Sequence, residues 1–167
     1  HFADQAASFS FVPILAKQFG ATDVLLSGMS SGNLAFVLLG NVLVSSIGNR
    51  VSTRKSLSAG FIVLVAGLVA AALAPSLVVL AAGQAMIGLA YGVIYPVLIG
   101  ESIRHVSEEQ RSTAMGLHQS GYALGMFAGP WLGGLLANAL GIQPMFGVSA
   151  AALLVLGVVG ISRLKNE

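Results

Sequence analysis

The sequence predicts an all-α integral membrane protein that crosses the bilayer six times. Hydrophobic residues make up 56% of its 167 positions and charged residues only 8%, whereas a soluble domain carries roughly 25% charged residues. The apolar residues also come in blocks of about the 17 to 25 residues that a helix needs to span a bilayer. Barrel strands alternate in polarity and are much shorter, so blocks of this kind indicate helices.

Short breaks with turn-forming or charged residues separate the apolar blocks. The predicted membrane segments, in chain order, are 3–18, 25–47, 56–74, 77–103, 113–137 and 145–162. The first contains Pro13 and looks truncated, because the chain begins with His1 and no basic stretch precedes the first apolar run. We therefore expect a cut N-terminus and no signal peptide.

Basic residues lie almost entirely on one side of the predicted membrane. The following basic residues come after the second, fourth and sixth segments: Arg50, Arg54, Lys55, Arg104, Arg111, Arg163 and Lys165. Only Lys17 lies on the other side. Because cytoplasmic loops carry the excess of Lys and Arg, loops 48–55 and 104–112 and the C-terminus are predicted to be cytoplasmic, in a plasma (inner) membrane protein.

Polar residues recur in a rhythm of three segments. The first, second, fourth and fifth segments carry side chains that cost energy in lipid, whereas the third and sixth carry nothing more polar than serine. The pattern polar, polar, apolar thus occurs twice. It predicts two three-helix inverted repeats, in which the third helix faces lipid and the first two line a wet interior. With so few polar residues, chance is the alternative.

Three stretches resemble the major facilitator superfamily. The loop "SSIGNRVSTRKSL" (45–57) resembles a degenerate form of its cytoplasmic motif G-x-L-A-D-R-x-G-R-R-x-x-L. The stretches "GLAYGVIYPVLIGESI" and "EEQRSTAMGLHQSGYALG" resemble helix ten, the following loop and the start of helix eleven. Finally, "GMFAGPWLGG" (125–134) matches G-x-x-x-G-P-x-x-G-G. The resemblance covers essentially the whole chain.

This resemblance implies that residues 1–167 form the C-terminal six-helix half of a twelve-helix transporter. The implied activity is secondary active transport of a small organic solute by alternating access, with the solute site between this half and its partner. That partner is an N-terminal half missing before His1 or a second chain. The G-P-x-x-G-G pattern is named for drug–proton antiporters, although in the symmetry-related helix, and it slightly favours efflux. Proton coupling is expected because the sequence has no nucleotide-binding motif and offers Asp4 and His118 as titratable groups.

The loop motif carries a further implication. In the superfamily this loop forms a cytoplasmic latch against the other half. The positions that correspond here are Asn49, Arg50, Arg54 and Lys55. Asn49 stands where the family has aspartate, so the charge on which such a latch relies is missing.

Side chains that share helix faces in the second, fourth and fifth segments are candidates for a substrate cavity near the midplane. They are Asn33, Asn41, Gln84, Tyr91, Tyr95, Gln119 and Tyr122. Each could instead form an interhelical hydrogen bond worth about 0.6 kcal/mol.

Two titratable residues are candidates for proton coupling. Asp4 is an intramembrane carboxylate if its helix begins earlier, and His118 carries an imidazole, the side chain most often used as a proton switch. Asp4 could also lie near a helix end, and His118 could reach the membrane surface. Glu101 and Arg104, one helical turn apart, are predicted to form an ion pair at the cytoplasmic end of their helix.

The small residues of the fifth segment predict a groove and a bend. Gly125, Gly129 and Gly133 recur every four positions, so that a neighbouring backbone can approach closely. Gly134 extends this set, and Pro130 removes one helical hydrogen bond. A helix of this kind packs tightly and can bend during transport, or it simply packs tightly.

Other classes of function find little support. The sequence contains no cysteine, which excludes a thiolate nucleophile or a cysteine metal site, and no metal or other cofactor is expected. No basic stripe with aromatics indicates a nucleic-acid partner. Residues 52–55 fit S-x-x-K without a partner acid, so an enzyme is not expected. A sensor or scaffold module, a uniporter and a sodium-coupled uptake carrier remain as alternatives, whereas no carboxylate ring or filter loop suggests a channel.

Overall fold

The computed structural model describes the backbone of residues 2–47, 51–104 and 106–163, and the side chains from Ser8 to Ser162 within these ranges. Six α-helices follow one another: α1 (Phe2–Gln18), α2 (Asp23–Ile47), α3 (Thr53–Ala72), α4 (Leu77–Ile103), α5 (Arg111–Leu140) and α6 (Ile142–Arg163). A 3₁₀ turn, Glu108–Gln110, precedes α5. Helices α2 to α6 are long and apolar enough to cross a membrane. The predicted all-α, six-helix fold is confirmed.

Helix α4 is the centre of the packing. It contacts both α2 and α3, while α3 also packs on α6. Helix α5 packs mainly on α1. Helix α2, the second of the first three, therefore packs on α4, the first of the last three, and α5 packs on α1 in the same way. This crossed packing is expected when two three-helix repeats are related by symmetry.

The apolar core lies where α3, α4 and α6 meet. Leu64 and Leu68 of α3, Leu80 and Ile94 of α4, and Phe146 of α6 are fully buried and belong to one cluster. Packing of this kind, rather than the hydrophobic effect, holds helices together in lipid. The core thus fixes α4 from the α3 side and leaves its other faces to α1, α2 and α5.

Glycines bring the backbones of α2 and α4 into direct contact. A methyl group on Gly40 would lie 2.5 Å from the carbonyl oxygen of Leu89 and 3.0 Å from Cα of Gly92. A methyl group on Gly92 would overlap the carbonyl oxygen of Val37. Main-chain atoms cannot move aside as a side chain can, so only glycine fits at these positions.

The α3–α4 contact is built in the same way. A methyl group on Gly67 would lie 2.9 Å from the carbonyl oxygen of Gly83, and a methyl group on Gly83 would lie 2.9 Å from the carbonyl oxygen of Gly67. Two turns earlier on α3, Gly60 faces Ile94 of α4, whose Cγ1 would be 2.6 Å from an added methyl group. Helix α4 is therefore packed at close range against α2 on one side and α3 on the other.

The glycine-rich stretch of α5 contributes to its contact with α1. Gly129 and Gly133 are the residues of α5 that are fully buried, and Gly134 lies beside α1, with Cζ of Phe11 3.8 Å from the position of an added methyl group. Gly125 is half-buried. Pro130 lies inside α5 and does not end the helix.

The connection between α5 and α6 is shorter than the sequence suggests. The predicted segments leave residues 138–144 between the fifth and sixth helices, but only Gly141, at φ 94°, separates the two helices. Pro144 lies within the first turn of α6. A proline fits there because the first amide groups of a helix have no partner inside the helix.

Candidate functional site

Aromatic rings connect α4 to α5. The rings of Tyr91 and Tyr95, one turn apart on α4, are stacked with their centroids 5.4 Å apart and an angle of 12° between planes. From α5, Tyr122 lies 6.0 Å and His118 6.3 Å from the ring of Tyr95. We call these four residues the ring ladder. All four are candidates from the sequence, and the structure brings them together.

Ser102 fixes one nitrogen of the His118 ring. Its hydroxyl donates a hydrogen bond to the carbonyl oxygen of Leu98 at 2.8 Å, and its Oγ lies 2.9 Å from Nδ1 of His118. While the hydroxyl hydrogen points to Leu98, Oγ can only accept from the ring, and this contact then requires the tautomer of His118 with its hydrogen on Nδ1.

A cavity of about 90 Å³ lies between α1, α2 and α4. Its polar wall consists of Ser8 from α1, Asn33 from α2, and Gln84 and Tyr91 from α4. The other lining residues are Phe9, Leu34, Val37, Ile87 and Gly88. We call this space the α1–α2–α4 cavity. Tyr91 lines it and also begins the ring ladder, so the cavity and the ladder share this residue.

Asn33 is held in place from two directions. Its Nδ2 donates a hydrogen bond to the backbone carbonyl oxygen of Gln84 at 2.8 Å. Gly88 lies against it, since a methyl group there would be 2.7 Å from Nδ2 and 2.6 Å from the backbone oxygen of Asn33. The amide hydrogen bond thereby sets the register of α2 on α4 at the level of the cavity.

Two buried polar atoms in residues that line the cavity have no hydrogen-bond partner among the described residues. They are Oγ of Ser8, in a residue that is 2% exposed, and Oε1 of Gln84, in a residue that is 8% exposed. A buried polar group without a partner costs about 1–3 kcal/mol. Such groups are retained where something else uses them.

The end of α4 that is predicted to be cytoplasmic carries a small polar cluster. Nη1 of Arg104 lies 3.7 Å from Oε2 of Glu101, and the hydroxyl of Thr53 donates to the same oxygen at 3.4 Å. This ties the start of α3 to the end of α4. Arg54 is half-buried and Lys55 exposed in the first turn of α3.

Several candidates lie apart from the cavity and the ladder. Gln119 is exposed, and Asn41 is half-buried on α2 beyond the cavity lining. Asp4 belongs to α1, but its side chain is outside the described residues, as are Asn49 and Arg50. In the part of the chain that the structure describes, no three histidine or acidic side chains gather as metal ligands would.

Sequence reasoning missed two serines that the site uses. Ser102 follows Tyr95 by seven residues, and this helical spacing was a usable signal for it. Ser8 had no such signal, because its role depends on how α1 is rotated against α2 and α4.

The sequence profile described as Major Facilitator Superfamily matches residues 1–167, the entire chain. The chain belongs to the Major Facilitator Superfamily. A relative from Bacillus subtilis (strain 168), described as the uncharacterized MFS-type transporter YwfA, is 30% identical over 129 residues. The aligned region covers 77% of this chain but only 31% of that relative, so the chain spans about a third of the length of the superfamily member it matches.

Proposed function

We propose that this chain is the C-terminal six-helix part of a secondary active transporter that moves a small organic solute by alternating access. The observation that carries the proposal is the α1–α2–α4 cavity, which shares Tyr91 with the ring ladder. A largely apolar space with a few converging polar groups is typical of a small-molecule site. Transporters place such sites near the middle of the bilayer, where helices of different repeats meet.

The surface of α2 and α5 supports a second six-helix unit as partner. In the most apolar stretch of α2 only 6% of the residues are buried within this chain, and in that of α5 only 11%, compared with 44% in that of α4. Large side chains such as Leu38, Phe127 and Trp131 are 65%, 80% and 62% exposed. We assign this surface partly to lipid and partly to the N-terminal half or a second chain. The loop at 48–55 would then contact that partner without the acidic residue of the family's latch, and Pro130 would act as the bend.

The experiment that tests transport uses the full-length protein in proteoliposomes loaded with the pH-sensitive dye pyranine. We expect that one or more members of a panel of amphipathic organic solutes change the internal pH when added, and that protein-free vesicles show no change. A solute that binds the protein without any flux would instead support the sensor alternative. A flux that needs sodium and moves no protons would support the sodium-coupled carrier.

His118 is the proposed proton-binding residue on the described part of the chain, with Asp4 as a second candidate. We predict that His118→Gln abolishes accumulation driven by an imposed pH gradient but preserves exchange of solute across the membrane without a gradient. The reason is that glutamine can still donate a hydrogen bond to Ser102 but cannot take up a proton. Both rates are measured in proteoliposomes with a solute found by the panel.

Ser120→Ala is the control for this prediction, because Ser120 is exposed on the same helix and bonds only within it. It should leave both rates unchanged. Gradient-driven accumulation that survives in His118→Gln would move the proton site to Asp4 or elsewhere.

The proposed orientation gives a separate prediction. Thr22, between α1 and α2, and Glu109, before α5, are both exposed and are predicted to lie on opposite sides of the membrane. In a cysteine-free full-length background, Thr22→Cys should react with a membrane-impermeant maleimide on intact cells, and Glu109→Cys only after the cells are permeabilised. The reverse pattern would invert the proposed topology.

A further inference from the structure

We propose that Ser102 is a positioning residue for His118: it holds the imidazole with its hydrogen on Nδ1, so that the ring gains and loses its coupling proton at Nε2. This inference rests on the proposed function, in which His118 is the proton-binding residue, and it names the atom at which that residue takes up its proton.

Serine on the helices of this chain repeats one hydrogen bond. The hydroxyls of Ser46, Ser58, Ser102 and Ser120 each donate to the carbonyl oxygen four residues earlier, at 2.7–2.9 Å. Serine in a helix commonly bonds back to its own main chain in this way. The hydrogen of the Ser102 hydroxyl is therefore directed to the carbonyl oxygen of Leu98.

Ser102 has a second partner, the ring of His118 on α5. Its Oγ lies 2.9 Å from Nδ1 of that ring. With the hydroxyl hydrogen directed to Leu98, Oγ offers only lone pairs to the ring. The donor is then Nδ1, and Nε2 is the nitrogen that carries no hydrogen in the neutral imidazole.

The contact between Ser102 and His118 is retained when the ring takes up a proton. Both nitrogens of the imidazolium are donors, so Nδ1 keeps its bond to Oγ, which becomes a stronger, charge-assisted bond. In the opposite arrangement, a serine that donates to Nδ1 would have to turn its hydroxyl away on protonation. Ser102 thus holds the ring in one place in both states, and only Nε2 changes.

Two residues of α4 fix the orientation of the ring. Tyr95 and Ser102 are seven residues apart, two turns on the same face of the helix. The ring of Tyr95 lies 6.3 Å from that of His118, with an angle of 52° between their planes. The hydrogen bond and the tilted ring together hold the imidazole across the α4–α5 contact.

Other titratable groups belong to the same part of the bundle. Tyr95 and Glu101 lie on α4, and Tyr122 lies on α5. Helix α1, which packs on α5, carries Asp4, whose side chain is outside the described residues. Each of these groups acts on a charge in the ring, so the test compares variants that change only the contact to Oγ of Ser102.

The first test measures transport by the full-length protein in proteoliposomes, with a solute found by the panel. Ser102→Ala should reduce accumulation driven by a pH gradient about tenfold, as expected when a charged ring loses a hydrogen bond, and should leave exchange without a gradient largely unchanged. Ser102→Thr retains the hydroxyl and should retain the accumulation. Unreduced accumulation in Ser102→Ala, or an equal loss in Ser102→Thr, would contradict the proposal.

Ser58→Ala is the matched control for this test. Ser58 is also half-buried and makes the same bond to the carbonyl oxygen four residues earlier, but it lies on α3. Its loss should change neither rate. A reduction of accumulation equal to that of Ser102→Ala would show that the loss of a serine back-bond, and not the contact to His118, causes the effect.

The second test observes the hydrogen on the ring directly and needs no transport. Magic-angle-spinning NMR of the full-length protein with isotope-labelled histidine, at alkaline pH, distinguishes the two neutral tautomers by their ring carbon and nitrogen shifts. The signals of His118 are those that His118→Gln removes. We expect the hydrogen on Nδ1 in the unmodified protein and on Nε2, the tautomer that imidazole prefers in water, in Ser102→Ala. Hydrogen on Nε2 in the unmodified protein, or the same tautomer in both, would overturn the proposal.

The two tests separate this proposal from transport itself. A tautomer that depends on Ser102, without flux of any panel solute, would retain Ser102 as the positioning residue and refute the transport function. Accumulation that needs His118 but not Ser102 would refute the role of Ser102 and retain transport. Accumulation that survives in His118→Gln would refute the coupling role of both residues.

Discussion

Gly92→Ala is expected to prevent the packing of α2 on α4, so that the full-length protein no longer accumulates in a folded form. The added methyl group would overlap the carbonyl oxygen of Val37 and lie within 3.0 Å of Cα of Gly40. Both obstacles are main-chain atoms inside helices, so no change of rotamer relieves them, and the helices must separate. Overpacking typically costs about 1–3 kcal/mol and occasionally more, and obstacles made of main-chain atoms put Gly92→Ala at the upper end of that range. Size-exclusion chromatography and apparent Tm in detergent measure the effect.

The matched control is Gly100→Ala on the same helix. No atom lies within 4 Å of the methyl group that this substitution adds, so it should leave the protein intact or stabilise it by about 0.5–1 kcal/mol through the better helix propensity of alanine. Equal behaviour of the two variants would show that α2 and α4 do not approach as closely as described.

Tyr95→Ala is expected to reduce transport of a panel solute roughly tenfold or more. Tyr95 is the residue that joins the ring ladder, since it contacts Tyr91 on its own helix and both His118 and Tyr122 on α5. Each aromatic pair contributes about 0.5–1.5 kcal/mol beyond its buried area, and 1.4 kcal/mol corresponds to about a factor of ten in rate. Initial rates in proteoliposomes, normalised to the amount of folded protein, provide the measurement.

Two companion variants identify the ring as the cause. Tyr95→Phe retains the ring and should retain most of the transport, whereas a loss equal to that of alanine would assign the effect to the hydroxyl. Phe127→Ala removes an aromatic side chain that is 80% exposed on α5 and that takes no part in the ladder. If Phe127→Ala were as damaging as Tyr95→Ala, the ladder would have no special role.

The sequence predicts helix faces well and helix partners poorly. The spacing of Tyr91 and Tyr95 places both rings on one face of α4, but not at the height of His118 and Tyr122, because the meeting height depends on how α5 docks. Gln119 shows the same limit. It follows His118 directly, yet a step of one residue rotates a side chain by about 100°, and Gln119 is exposed while His118 is half-buried.

Glycine spacing shows a similar division. The pattern Gly125, Gly129, Gly133 predicts a groove on α5, and two of these residues are buried there. Main-chain atoms also lie within reach of an added methyl group on α2, α3 and α4, as at Gly92 and Gly67, where the sequence shows no glycine pattern of that length. A sequence shows that a backbone can be approached, but not which helix approaches it.

The contacts of α4 on its two sides differ in mechanical character. Against α2, main chain meets main chain at Gly40 and Gly92, a joint without side chains that could rearrange. Against α5, the joint consists of rings, which can swing between rotamers with their backbones little changed. The α2–α4 contact is therefore rigid, whereas the α4–α5 contact can adjust, and both contacts involve α4. When the protein changes shape, α2 and α4 should travel together as one body, and the relative motion should fall between α4 and α5, beside the cavity.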